Sequence, residues 1–377
     1  MDESVSLPPP STDSGRRYRK LWWSLPLLTI GVVLPISVVS AALVPVRLWQ
    51  LAPGSVQSVA DRLSFDAQAE EYASVYPSRN SIRFVTALGS KLSALDAAVG
   101  SIDADVDVQT FEERFGKETP AMQRQNGAQS MTTSKQIAEY VAFKLLGYPA
   151  SFTYGEIIVQ QLVCLDEPSA SSACKVLEPG DVIVAVNGMP TPTLNELVSV
   201  VSQMSPGEDI TVSIIPHLGG NQHDRRITLI QSPDDPTRTI VGFIPVDTRT
   251  VSLPFEVKID TDSIGGPSAG LAFTLALLDE LTPGDLFGGL RVVATGTVSE
   301  DGSVGAIGAL AQKAAAVKAS RADVFFVPST QGQDEIRDAR RVLGTRTRLI
   351  QVHSVEEALA VLMGLGGSGL KDATTDL

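Results

Sequence analysis

Residues 21 to 46, LWWSLPLLTIGVVLPISVVSAALVPV, form a run of 26 residues without a single charge. A helix of about 20 apolar residues spans the hydrocarbon core of a bilayer, so this run is long enough to cross one. Four cations precede it closely (Arg16, Arg17, Arg19 and Lys20), and only Arg47 follows. That asymmetry keeps residues 1–20, a disordered tail containing LPPPSTDSG, in the cytoplasm and places the rest of the chain outside. Trp22, Trp23 and Trp49 fall near the two ends, where interfacial aromatics are favoured. The expectation is a single-pass signal anchor at 21–46 in the cell membrane. A cleaved signal peptide is the competing reading, since SVVSAAL offers small residues for cleavage, although the run is longer than a usual signal core.

Beyond the anchor the composition is that of a globular protein. The net charge of −13 argues against a nucleic-acid partner, which would call for a basic footprint. Cys164 and Cys174 are the only cysteines, and they flank a polar stretch, LDEPSASSA. Two cysteines and three scattered histidines at 217, 223 and 353 offer no metal-ligand spacing. Outside the cytoplasm the cysteines are candidates for a disulfide. No GxxxxGK[ST] motif occurs, so neither a phosphate loop nor an ATP site is readable and no cofactor is expected.

Residues 47–130 are weakly patterned and are taken as a membrane-proximal segment, with a strand at IRFVTAL. MTTSKQIAEYVAFKLLGY (131–148) carries a helical stripe through Ile137, Val141 and Leu145. Strands, turns and a helix then alternate to about residue 235. From 236 to 366, strands alternate with helices, predicting an α+β (α/β) domain before a flexible tail at 367–377.

Two stretches of this last domain carry chemistry. DSIGGPSAGLAFTLALLDEL, residues 262–281, leads two glycines and a proline into Ser268 and then into an apolar helix starting there. A serine so placed can be a nucleophile, or it can simply cap its helix. In GALAQKAAAVKAS, Lys313 shares the apolar face with Leu310, Ala314 and Val317, whereas Lys318 points about 140° away. Burial lowers a lysine pKa from about 10.4 by up to roughly 3–5 units, which makes a neutral amine accessible as a general base. A lone buried lysine could equally be structural. The SxxK match at Ser172 to Lys175 sits in the cysteine loop without companion motifs and is set aside.

Taken together, GGPSAG and ATGTVSEDGSVGAIGALAQKAAA resemble the proteolytic domain of the Lon family, within it the membrane-anchored, PDZ-containing Lon-like peptidases. LEPGDVIVAVNGMPTPTLNELVSVV resembles a bacterial PDZ domain, a small barrel with a strand–helix groove, within 131–235. The resemblance implies Ser268 as nucleophile, Lys313 as its base and Thr295 beside the lysine amine. Gly265, Gly266 and Pro267 would shape the substrate approach, and Tyr154 and Gly155 in SFTYGE would lie at the carboxylate-binding turn of the groove. Two alanines, Ala294 and Ala309, stand where that family often has glycine. Protein or peptide substrates, and ring-like homo-oligomers, follow as expectations from the resemblance. The alternative is a membrane-tethered PDZ scaffold that binds peptides without cleaving them.

Overall fold

The computed structural model describes residues 32–78, 82–115, 119–164, 169–232 and 238–370. The first part of the expected anchor, residues 21–31 with Trp22 and Trp23, lies outside them. Its second half, residues 32–43, is helical and exposes Val32, Val33, Leu34, Ile36 and Leu43. Among the described residues no helix is long and apolar enough to cross a membrane.

The chain continues into β1 (Pro45–Ser58), β2 (Arg83–Ser93) and β3 (Asp107–Thr110), then a long helix α1 (Pro120–Leu145). Next come β4 (Ile157–Leu162), β5 (Val182–Val186), α2 (Leu194–Val201), β6 (Asp209–Ile215), β7 (His223–Thr228) and β8 (Phe243–Asp247). The remainder is α3 (Gly270–Glu280), β9 (Val292–Ala294), α4 (Leu310–Ser320), β10 (Val324–Pro328), α5 (Gln333–Leu343), β11 (Arg348–Val352) and α6 (Val355–Gly364).

One six-stranded sheet runs in the order β11-β10-β9-β2-β1-β3. β11, β10, β9 and β2 are mutually parallel, and β1 is antiparallel to both β2 and β3. The stretch from 47 to 130, read from sequence as a separate membrane-proximal block, thus supplies half of the strands of this sheet. Val293 sits opposite Arg83, and Ala294 opposite Phe84. Trp49, expected at the membrane interface, lies in β1 and packs edge-on against Phe111 and Phe115.

Successive strand residues point to opposite faces, so the sheet buries two cores. Phe84, Val292, Ala294 and Phe326 join α1, α3 and α6 on one face. Val85, Val293 and Phe325 join α4 and α5 on the other. Every residue of α3 is buried. Leu271, Phe273, Leu275, Leu277 and Leu278 have no exposed surface, and each such side chain stabilises the fold by about 1.5–3 kcal/mol. The helix behind Ser268 is therefore a fixed support.

A second, antiparallel sheet in the order β7-β6-β5-β4-β8 has its own core of Ile157, Val159, Ile183, Leu197, Ile210 and Val212. Its two connections to the rest of the chain run side by side, because Ser151–Thr153 pairs with Thr250–Ser252. The smaller unit is thus an insertion within the larger one, and strand pairings cross the boundaries drawn at 131 and 236. The helix expected at 131–148 starts earlier, at Pro120, capped by Thr119, whose hydroxyl accepts from the Met122 amide. Cys164 and Cys174 form a disulfide with their Cα atoms 5.7 Å apart.

Candidate active site

The C-terminal edge of β9 carries Thr295, with α3 on one face of the sheet and α4 on the other. Crevices at such edges, outside the carboxyl ends of parallel strands, are where open α/β sheets bind ligands. The Ser268 carbonyl accepts from the Gly296 amide at 2.8 Å and from Thr295 Oγ1 at 3.1 Å, which pins the serine to this edge. Lys313 reaches over from α4, and its Nζ lies 2.8 Å from Ser268 Oγ and 3.3 Å from Thr295 Oγ1. The structure therefore brings Ser268, Thr295 and Lys313 into one hydrogen-bonded group. The helix itself begins at Gly270, two residues after the serine predicted to start it, with Ala269 at its N-cap.

Lys313 is 4% exposed, Thr295 is fully buried and Ser268 is half-buried at the surface. Burial pushes the Lys313 ammonium down to about 8. No carboxylate pairs with it among the described residues, so no opposite charge offsets the cost of removing its own from water. The neighbouring Ala314, Ala315 and Ala316 are all buried, their small side chains letting α4 lie close against β1 and β2. Leucines at those positions would hold the helix away and carry the amine out of reach.

α4 starts from Ala309, whose backbone is left-handed at φ 60 and ψ 39. An alanine there carries a steric cost of about 1–2 kcal/mol that glycine avoids, partly offset by the greater chain entropy glycine loses on folding. The Ala309→Gly variant is expected to gain up to about 1 kcal/mol of stability with Lys313 left in place. Urea unfolding checks this, and a clear loss of stability would contradict it.

The loop before the serine is shaped by α1. The Gly266 amide donates to the Gly127 carbonyl at 2.7 Å, and Ser134 Oγ donates to the Pro267 carbonyl at 2.9 Å. A Cβ added at Gly265 would lie 3.0 Å from the Gly127 backbone, so a larger residue would push this loop and α1 apart by a few tenths of an ångström. The amides of Ser268 and Ala269 donate to no acceptor among the described residues. They lie at the N-terminal end of α3, where the helix dipole favours negative charge.

The smaller unit meets this site across a cleft of about 410 Å³ lined by Pro267, Val298 and Glu300 on one side and by Leu194, Ile244 and Asp247 on the other. Arg249 and Glu300 form an ion pair across it, with the Arg249 guanidinium 4.6 Å over the Phe152 ring. Tyr154 is half-exposed on the cleft wall. Gly155 is not part of an open turn. Glu156 and Thr248 bond to each other there, and an added Cβ at Gly155 would collide with Thr248.

β8 and α2 lie beside each other in the inserted unit, and Leu194 and Ile244 line the same cleft as Tyr154. β8 is the edge of its sheet, pairing with β4 on one side only. The turn leading into β8 contains Gly242 at φ 99. The signal that could have located it is VGFIPV, a glycine ahead of an apolar strand, the same kind of signal that YGE offered.

No curated protein matches the chain. Among solved structures, the PDZ domain of an SdrC-like protein from Listeria monocytogenes is 21% identical, covering 25% of this chain and 90% of its own, with a TM-score of 0.21. A protein from Geobacillus thermodenitrificans is 26% identical over 23% of this chain and 97% of its own, with a TM-score of 0.18. The second domain of a further Listeria protein is 22% identical over 26% and 88%, with a TM-score of 0.21. The match that bears on function covers residues 261–364, a span that contains Ser268, Thr295 and Lys313; it is to the Lon protease (S16) C-terminal proteolytic domain, and it indicates a serine peptidase.

Proposed function

We propose that the chain is an ATP-independent serine endopeptidase, held in the membrane by residues 21–46 and cleaving protein substrates outside the cytoplasm with a Ser268–Lys313 pair. The observation that carries this reading is the 2.8 Å contact between Ser268 Oγ and an amine that burial holds near 8. The anchor is supported by the uncharged run, by the cations ahead of it and by the exposed apolar helix at 32–43. The inserted unit serves as a peptide-binding, PDZ-like module, through the free edge of β8 beside α2. A ring-like homo-oligomer rests on the family resemblance alone.

In this mechanism the neutral Lys313 amine donates one N–H to Thr295 Oγ1 and turns its lone pair to the Ser268 hydroxyl. Thr295 is held in that role because its own proton goes to the Ser268 carbonyl. Ser268 Oγ attacks the peptide carbonyl while its proton passes to Lys313 Nζ. The oxyanion forms within reach of the Ser268 and Ala269 amides. The lysine then gives its proton to the leaving amine, and a water deprotonated by the same amine releases the acyl group.

The test is cleavage of an unfolded casein-like protein by the full chain in mild detergent, without ATP, from about pH 6 to pH 10. Because the amine must be neutral, kcat/KM should rise with pH and level off above about 8. A wild type that binds the substrate and leaves it intact at every pH would favour the scaffold alternative.

A further inference from the structure

A second, larger trough of about 810 Å³ lies on the other side of the serine loop. Its walls are the first half of α1, the loop 261–267 and the face of β1 and β2 around Trp49 and Gly89. Pro267 and Ser130 line both this trough and the cleft toward the inserted unit, so the loop carrying Ser268 is the ridge between them.

The charges in the trough run against those of the chain as a whole. In a protein of net charge −13, Arg114, Arg124 and Lys135 all line it. Its one acidic lining residue, Asp262, is already paired with Arg62 at 2.9 Å. Lys135 Nζ donates to the Ile259 carbonyl at 3.2 Å. Arg114 and Arg124 have no carboxylate partner among the described residues.

An independent observation points the same way. Two N–H donors in the trough wall, Trp49 Nε1 and Arg114 Nε, are buried and donate to no acceptor among the described residues. They belong to one cluster, since Trp49 packs on Phe115 at 4.9 Å and the Arg114 guanidinium lies 5.7 Å over the same ring. A buried donor left unsatisfied costs about 1–3 kcal/mol, so a small side-chain turn that brought either N–H to a ligand oxygen in the trough would recover part of that cost. The cations that line the trough without a carboxylate partner favour an anionic oxygen there.

We propose that this trough binds a carboxylate-bearing segment of the substrate and so sets cleavage specificity, an inference that rests on the peptidase reading above. Arg124 lies one helical turn from Gly127, which abuts Gly265. An extended chain advances about 3.3 Å per residue, so the acidic group falls about two to five residues from the scissile bond. The carboxylate can be an Asp or Glu side chain or the end of the substrate chain.

The experiment uses internally quenched peptides with Glu, Gln or Lys placed about two to five residues to either side of the scissile bond, and C-terminally amidated copies of each. The full chain in mild detergent is expected to cleave the Glu peptide about tenfold more efficiently than the Lys peptide when the residue is on one side of the bond. The preference should shrink toward unity in Arg114→Gln and in the more exposed Arg124→Gln, and in high salt, where screening is strong. Loss of the preference on amidation alone would assign the carboxylate to the chain end.

A binding measurement separates the two readings. Anisotropy of fluorescein-labelled Glu and Lys peptides on Ser268→Ala reports the trough without turnover. Glu-selective binding that Arg124→Gln removes would support the trough even if no peptide is cleaved, and the peptidase reading alone would then fail. Equal cleavage and equal binding of the Glu and Lys peptides would overturn the trough proposal and leave the peptidase reading standing.

Discussion

Replacing Ser268 by alanine is expected to lower kcat/KM on an unfolded protein substrate by about 10⁴-fold or more, with folding intact. The expected loss is large because the residual rate comes only from binding and the oxyanion amides, once the covalent route is gone. Lys313→Ala should lose about as much, and the double variant no more than either, because the two side chains act as one unit. Thr295→Val is expected to lose less and to report differently. Without the Thr295 oxygen, the charged amine has one acceptor fewer, so the midpoint of the pH profile should move below its wild-type value. Rates of purified variants on the same substrate decide the matter. Cleavage by Ser268→Ala at the wild-type rate would remove Ser268 from the chemistry.

The second large effect is on stability, and it runs in the opposite direction. Lys313→Met keeps the length of the side chain and removes a charge that has no partner, so the inactive variant should be the more stable protein. The amine titrates at about 8 in the folded chain and at 10.5 when unfolded. Between these values the unfolded state holds more protons, so wild-type stability rises with pH across that window. Below about pH 8 the burden is fully present and amounts to about 3 kcal/mol. Urea unfolding should show Lys313→Met ahead by that amount near pH 7. The two proteins should converge as the pH approaches 10.5. A less stable Lys313→Met at pH 7 would mean that the amine is not a burden to the fold.

Ser268 and Lys313, which the structure places 2.8 Å apart, were legible because each left a local mark. A lysine on the apolar face of an alanine-rich helix, and a serine after two glycines, can be read within a dozen residues. Their partner surfaces were not. β2 pairs with β9 across more than two hundred positions, and nothing near IRFVTAL says which strand it will join. The first half of α1, PAMQRQNGAQS, has no apolar stripe because none of its residues before Met131 is buried. It lines the trough and the cleft on either side of the serine loop, so its periodicity was silent until Met131. Tyr154 lines the cleft that Leu194 and Ile244 also line, whereas the free edge of β8 left no mark in the sequence beyond a glycine ahead of an apolar strand. The anchor reading remains a proposal from charge and length.

The side-by-side attachment of the inserted unit has a kinetic meaning. A binding module on a flexible linker presents its cargo at an effective concentration that falls as the linker lengthens. Here the pairing of Ser151–Thr153 with Thr250–Ser252 leaves no slack, and Arg249 adds a further tie to Glu300. On the proposed reading, a segment held on β8 would be offered to Ser268 at a local concentration set by this short, paired attachment. Selection among substrates then becomes a matter of reach: how many residues separate the part that is held from the bond that is cut.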